Sequence, residues 1–284
     1  MQDSNLLALI QQRYPSLTRS SQKIADYLCE NAAEAQYLSI SSLAKRCGVA
    51  EATIFRFCKA LDFGGYNELK IALARANAEP GSSHLAYGEP SPDDSPETLR
   101  ERLHAITVEA LSNTLEQMDT ATIARAADLL TQARRVFCFG QGGSHLTAME
   151  AWNRFSCISN KFYAIQDNHL QSMAASLMEE GDVILYVSYS GATREMNDIL
   201  APACRRGVKV ILITHYPDSP AAAMSEVVLL CGSKESPLQT GSVAARIAML
   251  FIVDVLVHEF CRRDWEGTRR NQDITSGIIA SKLQ

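Results

Sequence analysis

Glycine and hydroxyl residues follow two apolar runs of the chain, at residues 140–144 and at residues 188–193. The first loop, GQGGS, comes after the run 136–139, and the second, SYSGAT, comes after the run 183–187. Each loop also opens a segment whose apolar residues have helical spacing. Because a helix start offers unpaired N–H groups and the positive end of the helix dipole, such loops suit a phosphate group. The two loops therefore predict one site for a phosphorylated ligand between them.

The chemistry expected of these loops is binding by neutral groups. Hydroxyl groups would contact a phosphate or a sugar, and glycines such as Gly140 would let the backbone approach the ligand closely. No basic residue lies inside either loop, and the adjacent Arg194 is expected to face solvent. The opposing interpretation is a plain turn for the first loop and a capped helix start for the second. The predicted ligand-binding residues are Gly142, Gly143, Ser144, Ser188, Tyr189, Ser190, Gly191 and Thr193.

An alternation of strand and helix patterns predicts the sheet that must position both loops. This alternation indicates right-handed crossovers and a parallel sheet that is covered on both faces. In the order 2-1-3-4-5, the strand order reverses between the first and third strands, where doubly wound sheets bind their ligands. Those are the two strands that end in the loops. The predicted strands are 135–139, 161–165, 183–188, 208–213 and 227–231, and helices are predicted after Thr18 and at 40–46, 51–61, 66–77, 97–117, 121–133 and 242–262.

The segment 43–57 has the spacing of a helix-turn-helix. Gly48 stands where the turn needs a positive φ, and Ile54 and Phe57 would anchor the second helix in a core. Residues near the start of that helix are the ones that reach base edges in the major groove. The alternative is a small helical bundle whose charged residues only keep its surface solvated. The predicted outer residues of the second helix are Glu51, Ala52, Thr53, Arg56 and Lys59, and Lys45 and Arg46 are expected to contact DNA phosphates.

Composition narrows the class of protein. The chain of 284 residues is 46% hydrophobic and 21% charged with a net charge of −5, which is typical of globular proteins. Its eight cysteines form no C-x-x-C pair, which favours a reducing cytoplasm. His and Cys do not cluster at ligand spacing, so no metal site is expected. The chain begins without a signal-peptide pattern and has no apolar run long enough for a bilayer, so no membrane partner is expected.

An enzyme of sugar phosphates is the alternative function. An aldose–ketose isomerase needs an acid and a base at the ligand site, and the candidate residue types are His145, His169, Glu195, His215 and Glu235. No spacing among them specifies a pair, so the sequence predicts no catalytic residues and no cofactor. An isomerase or a lyase with an accessory helical domain stays open as the second reading. A dinucleotide site is disfavoured because His145 stands where that fingerprint has its last glycine.

The whole chain resembles the RpiR family of bacterial transcription regulators, which join a helix-turn-helix domain to a sugar isomerase (SIS) domain. Residues 52–61, ATIFRFCKAL, and 63–70, FGGYNELK, closely match that family's recognition helix and its continuation. The patterns GxGxS at 140–144 and SxSGxTxE at 188–195 match the two sugar-phosphate loops of SIS domains. The helical segment 245–256 resembles the family's long helix after the fifth strand.

The resemblance implies a regulator of sugar metabolism whose affinity for operator DNA is modulated by a phosphorylated sugar or sugar acid. It implies an all-α helix-turn-helix domain at 1–78 and an α/β SIS domain at 97–284 with a doubly wound, five-stranded parallel sheet. The Pro-, Gly- and Ser-rich stretch 79–96 is predicted to be a linker. A homodimer or homotetramer on double-stranded DNA is expected.

The chain departs from the family pattern at two positions. Ala50 stands where the family usually has the serine that caps the recognition helix, so that helix start is expected to shift or fray. Asp62 replaces a common glycine and adds negative charge on the predicted DNA side.

Overall fold

The structure is a computed structural model, and it describes residues 6–77, 93–235, 237 and 241–282. The chain divides into two compact units: Met1–Ile106 with Lys234–Ser242, and Thr107–Ser233 with Val243–Gln284. Most of the predicted linker 79–96 lies outside the described residues. The domain limits 1–78 and 97–284 therefore stay predictions.

The first unit is helical in its described residues. Thr18 caps the second helix by accepting a hydrogen bond from the Ser21 backbone, and Ser39 caps the fourth in the same way through Ser42. Its helices are α1 Leu6–Arg13, α2 Arg19–Glu30, α3 Ala32–Ala35, α4 Ile40–Cys47, α5 Glu51–Ala60, α6 Tyr66–Asn77 and the beginning of α7 Pro96–Gln117. A short 3-10 turn, Tyr14–Ser16, follows α1.

Apolar side chains from these helices form one core. Ile24 and Leu28 of α2 meet Leu43 of α4 and Phe57 of α5, and all of these side chains are buried. The apolar residues recur at helical spacing, so each helix places one stripe against the others. This packing fixes the orientation of α5 relative to α4.

The second unit is a parallel sheet with helices on both faces. Its five strands have the order β2-β1-β3-β4-β5, and every neighbouring pair is parallel. The predicted fold class and strand order are therefore confirmed. The strands are β1 Arg135–Gly140, β2 Phe162–Ala164, β3 Asp182–Val187, β4 Lys209–Thr214 and β5 Val227–Leu230. The helices after α7 are α8 Thr120–Gln132, α9 Gly142–Ser156, α10 Asn168–Ser176, α11 Arg194–Arg205, α12 Pro220–Ala223, α13 Val243–Arg263 and α14 Trp265–Ala280.

The strands of this sheet are apolar on both faces because helices cover both. Helices α10 and α11 pack on one face, where Tyr186 and Leu212 lie in the core, and on the other face α13 contacts both α8 and α9. A strand buried on both sides reads as a continuous apolar run, which is how β3 appears in the sequence. Among the described residues, no helix is long and apolar enough to cross a membrane.

Candidate functional site

The two loops predicted to bind a ligand lie side by side. Strands β1 and β3 pair in parallel with Gly140 opposite Val187, so residues 140–144 and 188–193 leave the sheet at the same edge. The strand order reverses there, since β2 lies on one side of β1 and β3 on the other. We call these two loops and the helix starts that they form the two-loop site.

The first loop requires glycine at two positions. A Cβ on Gly140 would lie 2.9 Å from both the Ser144 carbonyl oxygen and the Val187 carbonyl oxygen, which are backbone atoms. Gly142 has φ +52°, in the left-handed region that favours glycine. The backbone therefore turns sharply from β1 into α9. Gly142 and Gly143 are exposed at that turn, and Ser144 is half-buried beside them.

The two helices that begin at the site have no side-chain caps. Gln141 precedes α9 and Thr193 precedes α11, and neither side chain accepts a hydrogen bond from its helix. By contrast, Asp167 and Ser219 cap the neighbouring helices α10 and α12. No cap side chain therefore occupies the N–H groups at the starts of α9 and α11, although the Ser144 N–H donates to the Gln141 carbonyl at 3.1 Å. Both positive dipole ends point to the same edge.

A buried polar network holds the first loop in place. Tyr186 donates its hydroxyl hydrogen bond to Oε1 of Gln141, and Gln141 Nε2 donates to Oε1 of Gln171 at 3.0 Å. Gln171 is fully buried, and its Nε2 donates to the carbonyls of Ile165 at 2.7 Å and Gly140 at 3.3 Å. This use of Gln141 explains why it does not cap α9. Sequence reasoning missed the network, because three polar residues far apart in the chain give no spacing signal.

The second loop folds around a buried serine. Ser188 is 4% exposed, and its Oγ accepts a hydrogen bond from the Gly191 backbone at 3.1 Å. Gly191 has φ +58°, and a Cβ there would lie 2.2 Å from Oγ of Ser219. Ser188 therefore shapes the loop, and its hydroxyl keeps its own proton for donation.

The other hydroxyls of the second loop differ in burial. Ser190 accepts a long hydrogen bond of 3.4 Å from the Ala192 backbone and is half-buried. The Thr193 hydroxyl is buried close to the Tyr186 hydroxyl, without a well-formed hydrogen bond among the described residues. Burial raises the pKa of Tyr186, so that group stays a neutral donor. Both Ser190 and Thr193 can thus offer a hydroxyl at the helix start.

Tyr189 forms one side of the second loop. Its hydroxyl donates to the Ser233 carbonyl at 2.9 Å, and its ring stacks on His215 with centroids 5.1 Å apart. His215 in turn donates from Nδ1 to the Cys231 carbonyl at 2.9 Å. The Tyr189 ring is therefore held rigidly beside the loop.

The predicted acid and base candidates do not form a hydrogen-bonded pair. His145 and Glu195 lie in the first turns of α9 and α11, but both ring nitrogens of His145 are buried without a hydrogen-bond partner among the described residues. His169 is exposed on α10, and Glu235 accepts from the Ser242 backbone at 2.8 Å. Within the described ranges, no group of three or more His, Cys, Asp or Glu residues could hold a metal ion.

The segment 43–57 folds as the predicted helix-turn-helix. Gly48 ends α4 with φ +63°, and the Val49 backbone donates to the Ala44 carbonyl at 2.9 Å. Helix α5 begins at Glu51 although Ala50 provides no side-chain cap. The expected shift of this helix start is therefore not observed. The carboxylate of Glu51 instead accepts a hydrogen bond from Ser41 at 2.5 Å, which ties the start of α5 to α4.

One of the residues predicted on the outer face of α5 does not lie there. Thr53 was expected on the outer face of α5, but it is buried, 7% exposed, and accepts a hydrogen bond from Arg56 at 3.1 Å. Helix packing explains this, because Thr53 lies one turn before the buried Phe57 and shares its face of α5. Phe55 stands in its place on the outer face, 48% exposed, with Lys59 Nζ 5.4 Å from its ring centroid. The exposed residues of this face are Glu51, Ala52, Phe55, Arg56 and Lys59.

Two basic residues end α4. Lys45 is exposed. Arg46 is held in one position, since it pairs with Glu34 at 2.7 Å and donates to the Tyr27 hydroxyl at 3.0 Å. Arg46 therefore offers an oriented guanidinium on the surface of the first unit.

The fold defines a class of protein in which one chain joins a helix-turn-helix unit to a doubly wound α/β unit. The sequence matches the profile "Helix-turn-helix domain, rpiR family" over residues 4–80 and the profile "SIS domain" over residues 129–259. An HTH-type transcriptional regulator of Caldanaerobacter subterraneus is 31% identical over 98% of each chain. The chain therefore belongs to the RpiR family of HTH-type transcriptional regulators with an SIS domain.

Other relatives agree with this assignment. HexR of Pseudomonas aeruginosa is 33% identical over 89% of this chain and 87% of its own. RpiR of Escherichia coli K12 is 27% identical over 96% and 92%. Among solved structures, NanR of Vibrio vulnificus in complex with ManNAc-6P aligns over 98% of this chain and 99% of its own, with a TM-score of 0.88 and 27% identity.

Proposed function

We propose that this transcription regulator binds a phosphorylated sugar or sugar acid at the two-loop site, and that the ligand changes its affinity for operator DNA. The observation that carries the proposal is the pair of uncapped helix starts, α9 and α11, at the switch point of the sheet. Two positive dipole ends whose N–H groups are not occupied by a cap side chain favour an anion over a neutral ligand. The oxygens of a phosphate group can accept hydrogen bonds from the N–H groups of both helix starts.

Each group of the site has a separate task in this proposal. The first-turn amides at Gly142 and Gly143 would bind the phosphate, because glycine leaves the approach open. Hydroxyls of Ser144, Ser190 and Thr193 would donate to phosphate or sugar oxygens. Ser188 and Tyr189 would act mainly through the loop shape that they fix, given their internal hydrogen bonds.

The DNA-binding role rests on the outer face of α5. Arg56 and Lys59 are exposed cations in the middle and near the end of this helix, and Lys45 and Arg46 add charge on α4. We assign Arg56 to a base edge or a phosphate and the others to phosphates. Helix-turn-helix proteins bind two half-sites about one turn of DNA apart, so a homodimer or homotetramer acting on cytoplasmic DNA is part of the proposal.

The solved relative supports the ligand class. NanR is a full-length match to this chain, and its solved complex contains ManNAc-6P, an N-acylated sugar phosphate. A related ligand in the two-loop site would agree with the neutral hydroxyls and amides found there.

A ligand screen coupled to DNA binding tests the proposal. Thermal shifts with a panel of hexose, amino-sugar and sugar-acid phosphates would identify a ligand, because a ligand that binds the folded state raises Tm. The same compound should change the fluorescence anisotropy of operator DNA selected by binding from genomic fragments. Ser190→Ala should lose the response to the ligand while keeping DNA affinity.

Ser172→Ala is the matched control for that variant. Ser172 lies on α10, and its hydroxyl donates only to the Asn168 carbonyl of its own helix among the hydrogen bonds described. It should respond to the ligand as the unaltered protein does. If Ser190→Ala responded to the ligand fully, the ligand would bind at another site than the two-loop site.

We also propose that the chain carries out no turnover of the ligand. The sequence relatives described above are named transcriptional regulators, and in the described part of the chain His145 and Glu195 make no hydrogen bond to each other. The isomerase or lyase alternative predicts product formation from a hexose or amino-sugar phosphate in a coupled assay. Turnover that His145→Asn or Glu195→Gln abolishes would contradict the proposal.

A further inference from the structure

A basic side chain from outside both loops lies against the two-loop site. Arg246 is in the first turn of α13, and α13 packs along α9. A Cβ built on Gly143 would lie 3.7 Å from Nη2 of Arg246. The guanidinium thus lies beside the first turn of α9, at the sheet edge where the loops meet.

The electrostatics of this position favour an anion. The starts of α9 and α13 each carry the positive end of a helix dipole, and Arg246 adds a full positive charge beside both. A cation in the first turn of a helix has the unfavourable sign for that dipole. A bound phosphate would reverse this balance, because it would be attracted by both helix starts and by the guanidinium together.

Other charged residues line the same groove further from the first loop. The groove between α9 and α13 has a volume of about 580 Å³ and is lined by Thr147, Glu150, Arg154, Arg246 and Asp254 among apolar residues. Arg154 pairs with Asp254 at 2.5 Å, further along α9 than Gly143. Arg194, the basic residue that follows the second loop, is exposed. Among the described cations of this groove, Arg246 lies nearest to the first loop, as its distance from a Cβ on Gly143 shows.

We propose that Arg246 binds the phosphate of the effector and makes the site selective for phosphorylated over neutral sugars. This inference rests on the proposed function of the two-loop site. The amides and hydroxyls of the loops fix the direction of the ligand, and the guanidinium supplies the charge that they lack. A planar fork of donors suits two phosphate oxygens at once.

The experiment compares three variants in the full chain with two probes. Arg246→Gln removes the charge and keeps much of the side-chain volume, and Arg246→Lys keeps the charge but loses the fork. Arg154→Gln is the control, because it removes a guanidinium from the same groove at a distance from Gly143. Isothermal titration measures Kd for inorganic phosphate and for the strongest binder of the sugar-phosphate panel, and thermal unfolding without ligand checks that each variant folds.

The expected result is a loss of at least about tenfold in affinity for both probes in Arg246→Gln. Arg246→Lys should lose less than Arg246→Gln, and Arg154→Gln should bind as the unaltered protein does. An unchanged Kd in a folded Arg246→Gln overturns this inference and leaves the proposed function standing. An effect on the sugar phosphate alone, with inorganic phosphate unaffected, overturns the phosphate contact.

The failure of the proposed function has a different signature. An unaltered protein that binds neither inorganic phosphate nor any sugar phosphate at millimolar concentration contradicts the site itself and this inference with it.

Discussion

Asp62 holds its backbone in a conformation that side chains other than glycine rarely adopt. Its φ is +65°, directly after α5. Its ion pair with Arg13 at 3.1 Å joins two largely exposed side chains, and such pairs contribute little. We expect Asp62→Gly to raise the free energy of unfolding by about 0.5–1 kcal/mol, since the strain exceeds the entropy that glycine costs. Urea denaturation measures this as a higher midpoint with an unchanged slope.

Asp62→Asn separates the backbone from the charge. Asparagine tolerates the left-handed region but cannot pair with Arg13, so its stability should stay within about 0.5 kcal/mol of the unaltered protein. If Asp62→Asn raised the free energy of unfolding as much as Asp62→Gly, the destabilisation would come from the carboxylate of Asp62 and not from its backbone conformation.

Asp182 should make the second unit sensitive to acid. Burial alone would raise the pKa of this carboxyl, but hydrogen bonds from Arg135 at 2.6 Å and Arg134 at 3.1 Å outweigh burial and hold the pKa at about 2. Because the folded pKa lies below the unfolded one, the carboxylate contributes stability above about pH 4 and loses it as the pH falls to about 2. The contribution is about 2 kcal/mol.

Asp182→Asn should therefore unfold more easily at neutral pH, by about 2 kcal/mol, and should lose less further stability than the unaltered protein between pH 4 and 2. Denaturant midpoints across that range measure both effects. Parallel pH profiles for the two proteins would show that Asp182 does not titrate in this window.

Replacing Arg56 tests the predicted DNA interface and distinguishes a base contact from a phosphate contact. If it reads a base edge, Arg56→Ala should weaken operator binding by about 1–3 kcal/mol and relax specificity at one position. If it contacts a phosphate, the loss should be uniform across sequences, with a smaller salt slope. Lys23→Ala, an exposed cation on α2, is the control. Unchanged affinity in Arg56→Ala would remove the outer face of α5 from the interface.

At the scale of the elements, Gly191 shows how a loop depends on one glycine. Its φ of +58° and the Ser219 hydroxyl at 2.2 Å from an added Cβ leave no room for alanine. We expect Gly191→Ala to cost about 1–3 kcal/mol of stability and to abolish the response to the phosphorylated ligand. Gly143→Ala is the matched control for stability, because its Cβ would meet only Arg246 at 3.7 Å, an ordinary contact. Thermal unfolding measures the stability of both variants. Equal stability of Gly191→Ala and Gly143→Ala would contradict the predicted clash at Gly191.

The elements that the sequence predicts best are those with strong periodicity. The strands, and the helices whose limits were predicted, lie within one or two residues of those limits, because continuous apolar runs and 3.6-residue stripes are local signals. Helix α14 was not predicted, since much of its apolar surface is exposed, as at Ile274 and Ile278, and its pattern is mixed. Because its apolar residues do not form one buried stripe, α14 lacks the periodic pattern that predicts a helix.

Features of the site that depend on contacts between distant residues could not be predicted. The loops themselves were found, because glycine and serine after an apolar run are a local pattern. The support of the first loop by Gln171 and the approach of Arg246 to Gly143 join residues about thirty and one hundred positions apart. The burial of Thr53 likewise depends on which face of α5 the core takes.

At the scale of the whole molecule, the proposed function is a coupling between two binding equilibria. A ligand changes operator affinity only if it binds the two states of the protein differently. Linkage then requires the operator to change the affinity for the ligand by the same factor, so a tenfold effect in one direction, about 1.4 kcal/mol, must appear in the other. Anisotropy with and without the sugar phosphate gives one ratio, and titration of the sugar phosphate with and without saturating operator gives the second.

We expect the two ratios to be equal in the unaltered protein, and we expect a ligand-site variant and a DNA-contact variant to change them differently. Ser190→Ala should bring both ratios to one, because the ligand no longer binds. Arg56→Ala should lower DNA affinity and keep the ratio, because the DNA contact is weakened equally in both states. Unequal ratios would contradict a single ligand site coupled to DNA, since a further equilibrium such as subunit assembly would then take part. If the ligand bound the unaltered protein and the ratio were one, ligand binding at the two-loop site would have no effect on operator affinity.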